Sequence, residues 1–446
     1  MNKKNLINFF EHEKLELKEK GISLQKKDVF ALEDLNRKFS KEKKVEPLDL
    51  NYRKGELKSI KAKNFVGVIR ARQKSFQIIP KLSQKEKESQ EYSKQSIRNL
   101  LYMLTFTKKL KIKDSDLAGL NRVNDDFFET LIYLFAKNLL ELIQNNVNKE
   151  YVNLEDNLTF LKGKLDFPSH IKNNSILKNR FYLHYEEFCE DNFLNQIFKF
   201  VTYILLKTTR SHNNYKILQE LSFLFDEVSF KNITTEDLKK IHLNRLNNCY
   251  EPILNLAKIF LSNSSLELSS NNIETFTFIF DMNELFEEFI GELTKRIFFG
   301  SDHRVTLQGP SKHLVQSKNG QPRNLFKMMP DIEIFKYRKK APDLIVDTKY
   351  KILKEEDAKD GVGQPDMYQM FAYSKKFKCS DIILLYPRLE NMDNNESLFV
   401  LDEETKVYKK TVNLCRELWK REARESLKEE LKNIFYINTP IDENVN

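Results

Sequence analysis

The stretch from residue 330 to residue 349 constrains the fold of this chain more than any other. It contains two strand-like runs, which a polar turn at residues 338–342 joins. Asp331 stands at the head of the first run, and Asp347 and Lys349 close the second. Two carboxylates and an ammonium group on one bent hairpin can hold a hard divalent cation and position a water molecule beside it. The stretch therefore predicts metal-dependent phosphodiester hydrolysis.

Two Pro-Asp pairs compete for the position of the first carboxylate. Asp343 lies four residues before Asp347 in an extended segment. The two residues would stand about 13 Å apart at ~3.3 Å per residue, which is too far for one metal ion. Asp331 lies sixteen residues before Asp347, and an antiparallel hairpin around the polar turn can bring these two together. The spacing selects Asp331 as the metal ligand and makes Asp343 a turn residue.

The residues around Asp347 indicate a buried strand that ends in a cleft. The period of two along a strand places Lys349 on the same face as Asp347, whereas Thr348 points to the other face. An apolar run at residues 344–346 precedes them. A solvated strand edge is the alternative for any isolated Asp-x-Lys, but the apolar run favours the cleft.

Two flanking helical segments offer further site residues. Upstream, Glu284 shares a helix face with Glu287 or Glu288, because these pairs lie three and four residues apart. One of the three can complete the metal site, and Glu287 is the favoured one; capping and solvation are the alternatives. Downstream, Gln369 and Tyr373 share a helix face that can hold a phosphate group or the attacking water.

The charge balance fits a nucleic-acid partner. The chain has 74 Lys and Arg against 65 Asp and Glu, a net charge of +9, which favours polyanions. We expect Arg338, Lys339 and Lys351 to contact DNA phosphates, with solvated surface as the alternative. Four dispersed cysteines without C-x-x-C indicate reduced thiols. No run approaches the ~18 apolar residues of a membrane helix, and the N-terminus lacks a signal segment. These features predict a cytoplasmic protein.

The length of 446 residues favours several domains. Residues 1–44 read as helical pieces and loops, and short apolar runs around residues 57–80 predict a small β-rich module. A helical period dominates residues 96–262. The expected division is an N-terminal region with the β-rich module (1–85), a helical middle domain (86–265) and a C-terminal α/β domain (266–446).

Local signals place elements within these regions. Asp126 with Glu129, and Thr234 with Asp237, are capping boxes that open helices in the middle domain. In the C-terminal domain, a helix capped by Asp281 with Glu284 runs to about Phe298. Strand-like runs and one further helix then alternate before a long closing helix from about Leu414 to Phe435. The strand-like runs lie at residues 305–307, 329–335, 344–350 and 381–386, and the further helix lies at residues 366–377. This order predicts a multidomain α+β protein whose C-terminal domain has a mixed sheet.

The site residues together resemble the PD-(D/E)xK nuclease superfamily, and Gln369-x-x-x-Tyr373 is similar to the Q-x-x-x-Y element of its RecB-type branch. The resemblance extends to the McrC family, the nuclease subunits of McrBC-type and LlaJI-like restriction systems. The segments that carry it, between about residues 60 and 390, are Val66-Gly67-Val68-Ile69, Phe76-Gln-Ile-Ile-Pro80-Lys81-Leu82, Arg98-Asn-Leu-Leu-Tyr-Met-Leu104, Leu161-Lys-Gly163-Lys-Leu-Asp166, Tyr185-Glu-Glu-Phe188, Asp191-Asn-Phe-Leu-Asn195, Glu284-Leu-Phe-Glu287 and Lys349-Tyr-Lys351.

This resemblance implies a division of labour between two proteins. A separate McrB-like AAA+ GTPase would recognise DNA as a hexamer, and an McrC-like subunit would dock on it through its N-terminal region, stimulate GTP hydrolysis and cut double-stranded DNA. The sequence contains no G-x-x-x-x-G-K-[ST] loop, which agrees with a motor on another chain. The segments that carry the resemblance do not include the charged residues 1–50, so the resemblance implies no role for them.

The resulting hypothesis is a Mg²⁺-dependent DNA endonuclease, with Mn²⁺ as a possible substitute. Asp331, Asp347 and Glu287 would bind the metal, Lys349 would orient or help deprotonate the water, and Gln369 would support the phosphate or water. Two alternatives stay open: a non-cleaving adaptor of an AAA+ motor, and a stand-alone RecB-type nuclease. A zinc hydrolase is disfavoured, because the seven histidines are scattered and no H-E-x-x-H occurs.

Overall fold

The computed structural model describes residues 6–71, 74–81, 90–107, 126–145, 147–176, 178–266, 273–309, 311–317, 323–351, 353, 358–388 and 396–436. These residues form two compact units. Within the described ranges, one unit contains residues 70–71 and 126–278, and the other contains residues 6–69, 74–107 and 279–436. The three-part division of the chain at residues 85 and 265 stays a prediction.

The N-terminal segment combines short strands with helices. Its elements are β1 (Leu6–Phe10), β2 (Lys14–Glu16), α1 (Lys26–Lys43), β3 (Leu48–Arg53), β4 (Glu56–Ala62), β5 (Phe65–Ala71), β6 (Lys74–Ile79) and α2 (Gln90–Leu104). β1 runs parallel to β6, and β2 and β3 both pair antiparallel with β4. Their apolar faces and α1 share one core, which includes Phe9, Leu32 and Ile60. The β-rich module is confirmed, but two unpredicted strands lie within residues 6–16.

The middle segment is built mainly from packed helices. Its elements are α3 (Phe127–Asn145), β7 (Glu150–Leu158), β8 (Lys164–Leu165), α4 (Phe167–Asn174), β9 (Phe181–Cys189), α5 (Phe193–Thr208), α6 (His212–Leu224), α7 (Glu251–Ser262), β10 (Ser264–Leu266) and β11 (Ile273–Asp281). Aromatic rings join the helices: the Phe128 and Phe260 centroids lie 5.9 Å apart, and those of Phe135 and Phe198 lie 6.4 Å apart. The helical period of the sequence reflects this core.

The helical prediction is wrong for residues 150–165 and 181–189, where β7 pairs antiparallel with β9 over nine residues and β8 pairs with the other edge of β9. Leu183 is the one buried residue of these three strands. Because they bury no continuous face, their side chains lack the apolar alternation that marks a strand in a sequence. The capping box of Thr234 and Asp237 forms, but it opens only a short 3₁₀ turn at Asp237–Lys239.

Asp126 caps α3 as predicted, because its Oδ1 atom accepts hydrogen bonds from the backbone N–H groups of Phe128 and Glu129 at 2.9 and 3.2 Å. The Glu129 side chain does not close the capping box. It is buried, and it accepts hydrogen bonds from the Thr209 hydroxyl at 2.6 Å and the Arg210 N–H at 2.7 Å. Glu129 thus ties α3 to the loop before α6.

The C-terminal segment folds around a six-stranded mixed sheet. Its elements are α8 (Met282–Ile297), β12 (His303–Leu307), β13 (Lys312–Ser317), β14 (Arg323–Met328), β15 (Ile332–Lys336), β16 (Leu344–Thr348), α9 (Gln364–Phe377), β17 (Asp381–Arg388), β18 (Ser397–Val400), β19 (Lys406–Asn413) and α10 (Arg421–Phe435). The strand order is β12-β15-β16-β17-β19-β18. β16, β17 and β19 run parallel, and the other pairs are antiparallel.

The mixed sheet is confirmed, and one of its faces packs on α9 through residues such as Ile345, Leu384 and Met370. The helix expected from Leu414 begins instead at Arg421, because β19 and a short turn precede it. β19 escaped prediction since Lys409 and Lys410 interrupt its apolar pattern. The strands β13, β14 and β18 were not predicted either. The C-terminal end of β16 lies directly beside the candidate site.

Candidate active site

The antiparallel hairpin of β15 and β16 brings the two predicted aspartates to one end of the sheet. Ile332 pairs with Val346, so Asp331, one residue earlier, faces Asp347, one residue later. Asp347 is only 1% exposed. Burial, and then the charge of Asp331, raise the pKa of Asp347. The two carboxylates therefore stand close enough to repel each other when both are ionised.

Asp331 is held in place by Thr348. The Asp331 Oδ2 atom accepts hydrogen bonds from the Thr348 N–H at 2.7 Å and from the Thr348 hydroxyl at 2.8 Å. Burial raises the pKa of Asp331, and these two bonds oppose that effect. The expectation that Thr348 points away is wrong for its hydroxyl, because Asp331 lies just before β15 and can reach around the end of β16. Strand alternation does not predict such a contact.

Lys349 is the centre of a short network. Its Nζ atom lies 2.7 Å from Asp347 Oδ2 and 4.0 Å from Asp366 Oδ1, and it donates a hydrogen bond to Gln369 Oε1 at 3.2 Å. Burial lowers the pKa of Lys349, but the charge of Asp347 and its neighbours outweighs burial and raises it. Lys349 is therefore held as an ammonium ion, which favours orientation of a water over its deprotonation.

Gln369 and Tyr373 continue this network on α9. The Gln369 Nε2 atom donates to the Tyr373 hydroxyl at 2.8 Å, and that hydroxyl donates to the Met329 carbonyl at 3.1 Å. Tyr373 is buried, and burial raises its pKa. The predicted helix face is thus directed at the site. Tyr373 does not itself hydrogen-bond to Lys349; it links Gln369 to the Met329 carbonyl, two residues before Asp331. Asp366, one turn earlier on α9, is a neighbour of Lys349 that sequence reasoning missed.

Glu287 is an upstream glutamate on which the charge of Asp331 acts. Burial, and then the charge of Asp331, raise the pKa of Glu287, and its Oε1 atom accepts a hydrogen bond from Gln308 Nε2 at 2.7 Å. Glu284 instead forms an ion pair with Lys43 at 2.5 Å. This geometry favours Glu287 over Glu284 as a third acidic group beside Asp331.

The oxygen donors of the site suit a hard divalent cation in their chemistry, although they do not surround a single position. Across the described parts of the chain, no three Asp, Glu, His or Cys side chains converge tightly enough to hold a metal ion. Asp331 and Asp347 nevertheless supply the oxygen donors that Mg²⁺ prefers, and their mutual repulsion is what a cation would relieve. The residues that would hold it are Asp331 and Asp347, and Glu287 on α8 is the candidate for a third ligand.

Glu333 is a further buried acid that the sequence analysis passed over. It is the second residue of β15, and it pairs with Ile345 on β16. Glu333 is 1% exposed, and burial raises its pKa to about 7. An acid inside an apolar run gives no distinctive signal in a sequence, which explains the omission.

Of the three residues predicted to contact DNA, two form hydrogen bonds or ion pairs with other groups of the chain. Arg338 is exposed at a left-handed turn position (φ 67°) with its guanidinium over the Tyr337 ring. Lys339 forms an ion pair with Asp343 at 2.5 Å, and Lys351 donates to the Gly361 carbonyl at 2.9 Å. Asp343 also accepts a hydrogen bond from the Lys336 N–H at 2.8 Å, which confirms it as a turn residue. Lys339 and Lys351 are thus engaged within the chain.

A buried hydrogen bond joins the N-terminal segment to the residue after Lys349. The Tyr350 hydroxyl donates to Glu11 Oε1 at 2.6 Å, and the Lys81 N–H donates to the same oxygen at 2.9 Å. Glu11 is fully buried and Tyr350 is 7% exposed. Glu11 follows β1, and Lys81 follows β6. The ends of these two neighbouring strands therefore contact Tyr350, which lies just after β16. No sequence signal pointed to this contact.

We expect the buried Glu11 carboxyl group to make the free energy of unfolding depend on pH. Burial raises its pKa from 4.5 to about 7, so in that window the folded protein keeps a proton that the unfolded chain releases. Stability must then fall as pH rises through the window and level off above it. Glu11→Gln keeps an oxygen for Tyr350 and does not titrate. Between about pH 5 and pH 8, we expect its free energy of unfolding to fall less than that of the wild type, by up to about 3 kcal/mol.

Urea unfolding at several pH values tests this expectation. Glu46→Gln is the matched control, because Glu46 is an exposed residue of the same segment. The Glu46 variant should follow the wild-type pH dependence. A Glu11 variant with that same dependence would show that Glu11 is ionised in the folded protein.

Comparison with known proteins identifies the family. The family described as McrBC 5-methylcytosine restriction system component matches residues 60–387, and the chain belongs to this family. Its fold is similar to a chain in the structure of Thermococcus gammatolerans McrB AAA+ hexamers with bound McrC, with 25% identity and a TM-score of 0.75 over 96% of this chain and 100% of that chain.

A second solved structure, the Thermococcus gammatolerans McrBC complex, matches at 29% identity with a TM-score of 0.52, over 66% of this chain and 88% of that chain. The two matches and the family together support a McrC-like protein. No curated protein matches this chain. Within the described residues, no helix combines the length and apolar character needed to cross a membrane.

Proposed function

We propose that this chain is the DNA endonuclease subunit of a GTP-dependent, McrBC-like restriction system, with a PD-(D/E)xK-type site. The observation that carries the proposal is the convergence of Asp331, Asp347 and Lys349 at the buried end of β16, where Lys349 lies 2.7 Å from Asp347. A charged triad in such a place is costly to fold, and phosphodiester hydrolysis is a use that explains it.

The residues divide the chemistry among themselves. A bound Mg²⁺ would supply an activated water and polarise the phosphodiester. Asp331 and Asp347 would hold the ion, and Glu287 would approach it from α8. Lys349 donates hydrogen bonds as an ammonium ion, so it can orient the attacking water and offset the charge that develops on the phosphate. Gln369, braced by Tyr373, fixes the Lys349 side chain.

A partner is the second part of the proposal. McrB AAA+ hexamers carry bound McrC in the similar structure from Thermococcus gammatolerans, and this sequence has no P-loop. We therefore assign GTP hydrolysis and DNA recognition to a McrB-like AAA+ hexamer, on which this chain docks and which it stimulates. Double-stranded DNA is the substrate.

Reconstitution tests the proposal directly. The full chain is mixed with the AAA+ GTPase of its own genome, and cleavage of plasmids with and without 5-methylcytosine is followed. We expect cutting only when the partner, GTP and Mg²⁺ are all present, with Mn²⁺ able to replace Mg²⁺. Cutting without GTP or partner would indicate a stand-alone nuclease. Stimulated GTP hydrolysis without any cutting would indicate an adaptor.

A further inference from the structure

The segment between Asp302 and Asp331 is strongly and uniformly basic. It contains Arg304, Lys312, Lys318, Arg323 and Lys327 and no Asp or Glu, although 65 of the 446 residues of the chain are acidic. Lys318 lies outside the described residues. The hairpin of β13 and β14 forms most of this segment, and the candidate site begins directly after it. A charge bias of this kind, directly before a nuclease-like site in the chain, needs an explanation.

The two faces of the hairpin differ. On one face, Lys312 donates a hydrogen bond to the Lys376 carbonyl of α9 at 3.0 Å, and Met328 is buried in the core beneath α9. The opposite face, called here the basic face, points away from α9. Its cross-strand pairs are His313 with Lys327, Val315 with Leu325, and Ser317 with Arg323.

The basic face is open to solvent. Arg323, Leu325 and Lys327 are exposed, and Val315 is 43% exposed. No acidic side chain of the described residues forms an ion pair with Arg323, Lys327 or His313. The face thus presents two positive charges on either side of the apolar Val315–Leu325 pair, whereas Lys339 is neutralised by Asp343.

The base of the hairpin is fixed to the site. β14 leads through buried Met328 to Met329, whose carbonyl accepts the Tyr373 hydrogen bond at 3.1 Å, and then to Asp331. Lys327 is four residues from Asp331, so their Cα atoms lie within roughly 14 Å. Phosphates of one DNA strand rise by about 3.4 Å along the helix axis. Lys327 can therefore reach phosphates only a few nucleotides from the one that is cut.

We propose that the basic face of the β13–β14 hairpin binds the phosphate backbone of duplex DNA beside the scissile phosphate. The proposal rests on the nuclease function proposed above and names the surface that holds its substrate. Arg323 and Lys327 contact phosphates, and the Val315–Leu325 pair lies against the sugars between them. Such contacts position the duplex without reading its sequence. An acidic protein is the competing occupant, which the charge pattern alone would also accept.

Charge reversal on the full chain tests this surface. The Arg323→Glu/Lys327→Glu variant is titrated against a fluorescent duplex by anisotropy at several salt concentrations. Each lost phosphate contact reduces the magnitude of the negative slope of log K against log salt by about 0.9. For two contacts we expect a reduction of about 1.8 and a Kd at least tenfold higher near physiological salt. The Arg323→Lys/Lys327→Arg variant, which keeps both charges, should retain the wild-type slope.

The matched control is Lys216→Glu/Arg245→Glu, which makes the same charge change at exposed residues of the other unit. A hairpin variant that binds no more weakly than this control overturns the proposal. So does a hairpin variant that binds DNA normally but loses the GTPase partner, since the face would then dock protein. Because the readout is binding, the two proposals can fail separately. A wild type that binds DNA but never cuts it would refute the nuclease function, and weaker binding by the hairpin variant would still support this surface.

Discussion

The Asp347→Asn variant is expected to lose DNA cleavage by about a thousandfold or more while still binding its GTPase partner. An amide cannot supply the charge that holds a divalent cation, and loss of metal assistance removes several kcal/mol of transition-state stabilisation, at about 1.4 kcal/mol per factor of ten. The change is nearly isosteric at a position that is 1% exposed. The repulsion from Asp331 also disappears, and Lys349, whose side chain is 28% exposed, keeps its contacts with Asp366 and Gln369. The metal-free variant should therefore be at least as stable as the wild type.

Single-turnover cleavage, with thermal unfolding of the same samples, measures both expectations. Asp343→Asn is the matched control, because Asp343 belongs to the second Pro-Asp pair and lies on the turn with its carboxylate bound to Lys336 and Lys339. It should cleave at close to the wild-type rate. Normal cleavage by Asp347→Asn, or its loss in Asp343→Asn, would show that the metal ligands are assigned to the wrong aspartates.

Lys349→Met is expected to lower the cleavage rate by roughly 100- to 1000-fold, the range found when one preorganised donor is removed from an active site. The methionine keeps the length of the side chain but removes the ammonium group that lies 2.7 Å from Asp347. It also leaves a buried carboxylate without its cation, so the variant should be less stable than the wild type. Rate and stability thus fall together here, unlike in Asp347→Asn.

Lys340→Met controls for the loss of one positive charge, since Lys340 is exposed on the turn of the same hairpin. Cleavage by this variant should stay within about threefold of the wild type, because exposed charges contribute little. GTP hydrolysis by the complex is the second readout and should be normal in both variants. Equal cleavage by the Lys349 and Lys340 variants would remove Lys349 from the proposed mechanism.

The sequence predicted those parts of the site that depend on local geometry. The choice of Asp331 over Asp343 required only the rise per residue of a strand and the position of a polar turn, and the hairpin of β15 and β16 has that arrangement. Gln369 and Tyr373 lie on one face of α9 because they are four residues apart. Each of these inferences spans at most one hairpin or one helix turn.

Prediction failed where the local pattern carried no information. The strands β7 and β9 bury almost no side chain, so no apolar alternation marks them. β19 includes Lys409, which is 1% exposed, and a lysine reads as a surface residue in a sequence. The alternation of side chains along β16 did not predict the contact between Thr348 and Asp331, because Asp331 lies outside the strands, just before β15.

The sequence by itself determined the hairpin of residues 330–349, its acidic pair and its lysine, because strand period and turn spacing fix them over a few residues. Only the tertiary structure decided which distant groups meet this hairpin. Tyr350 bonds Glu11 across 339 residues of chain, and Lys43 meets Glu284 across 241. Such contacts depend on how separate segments pack, and no periodicity within one segment encodes a partner in another.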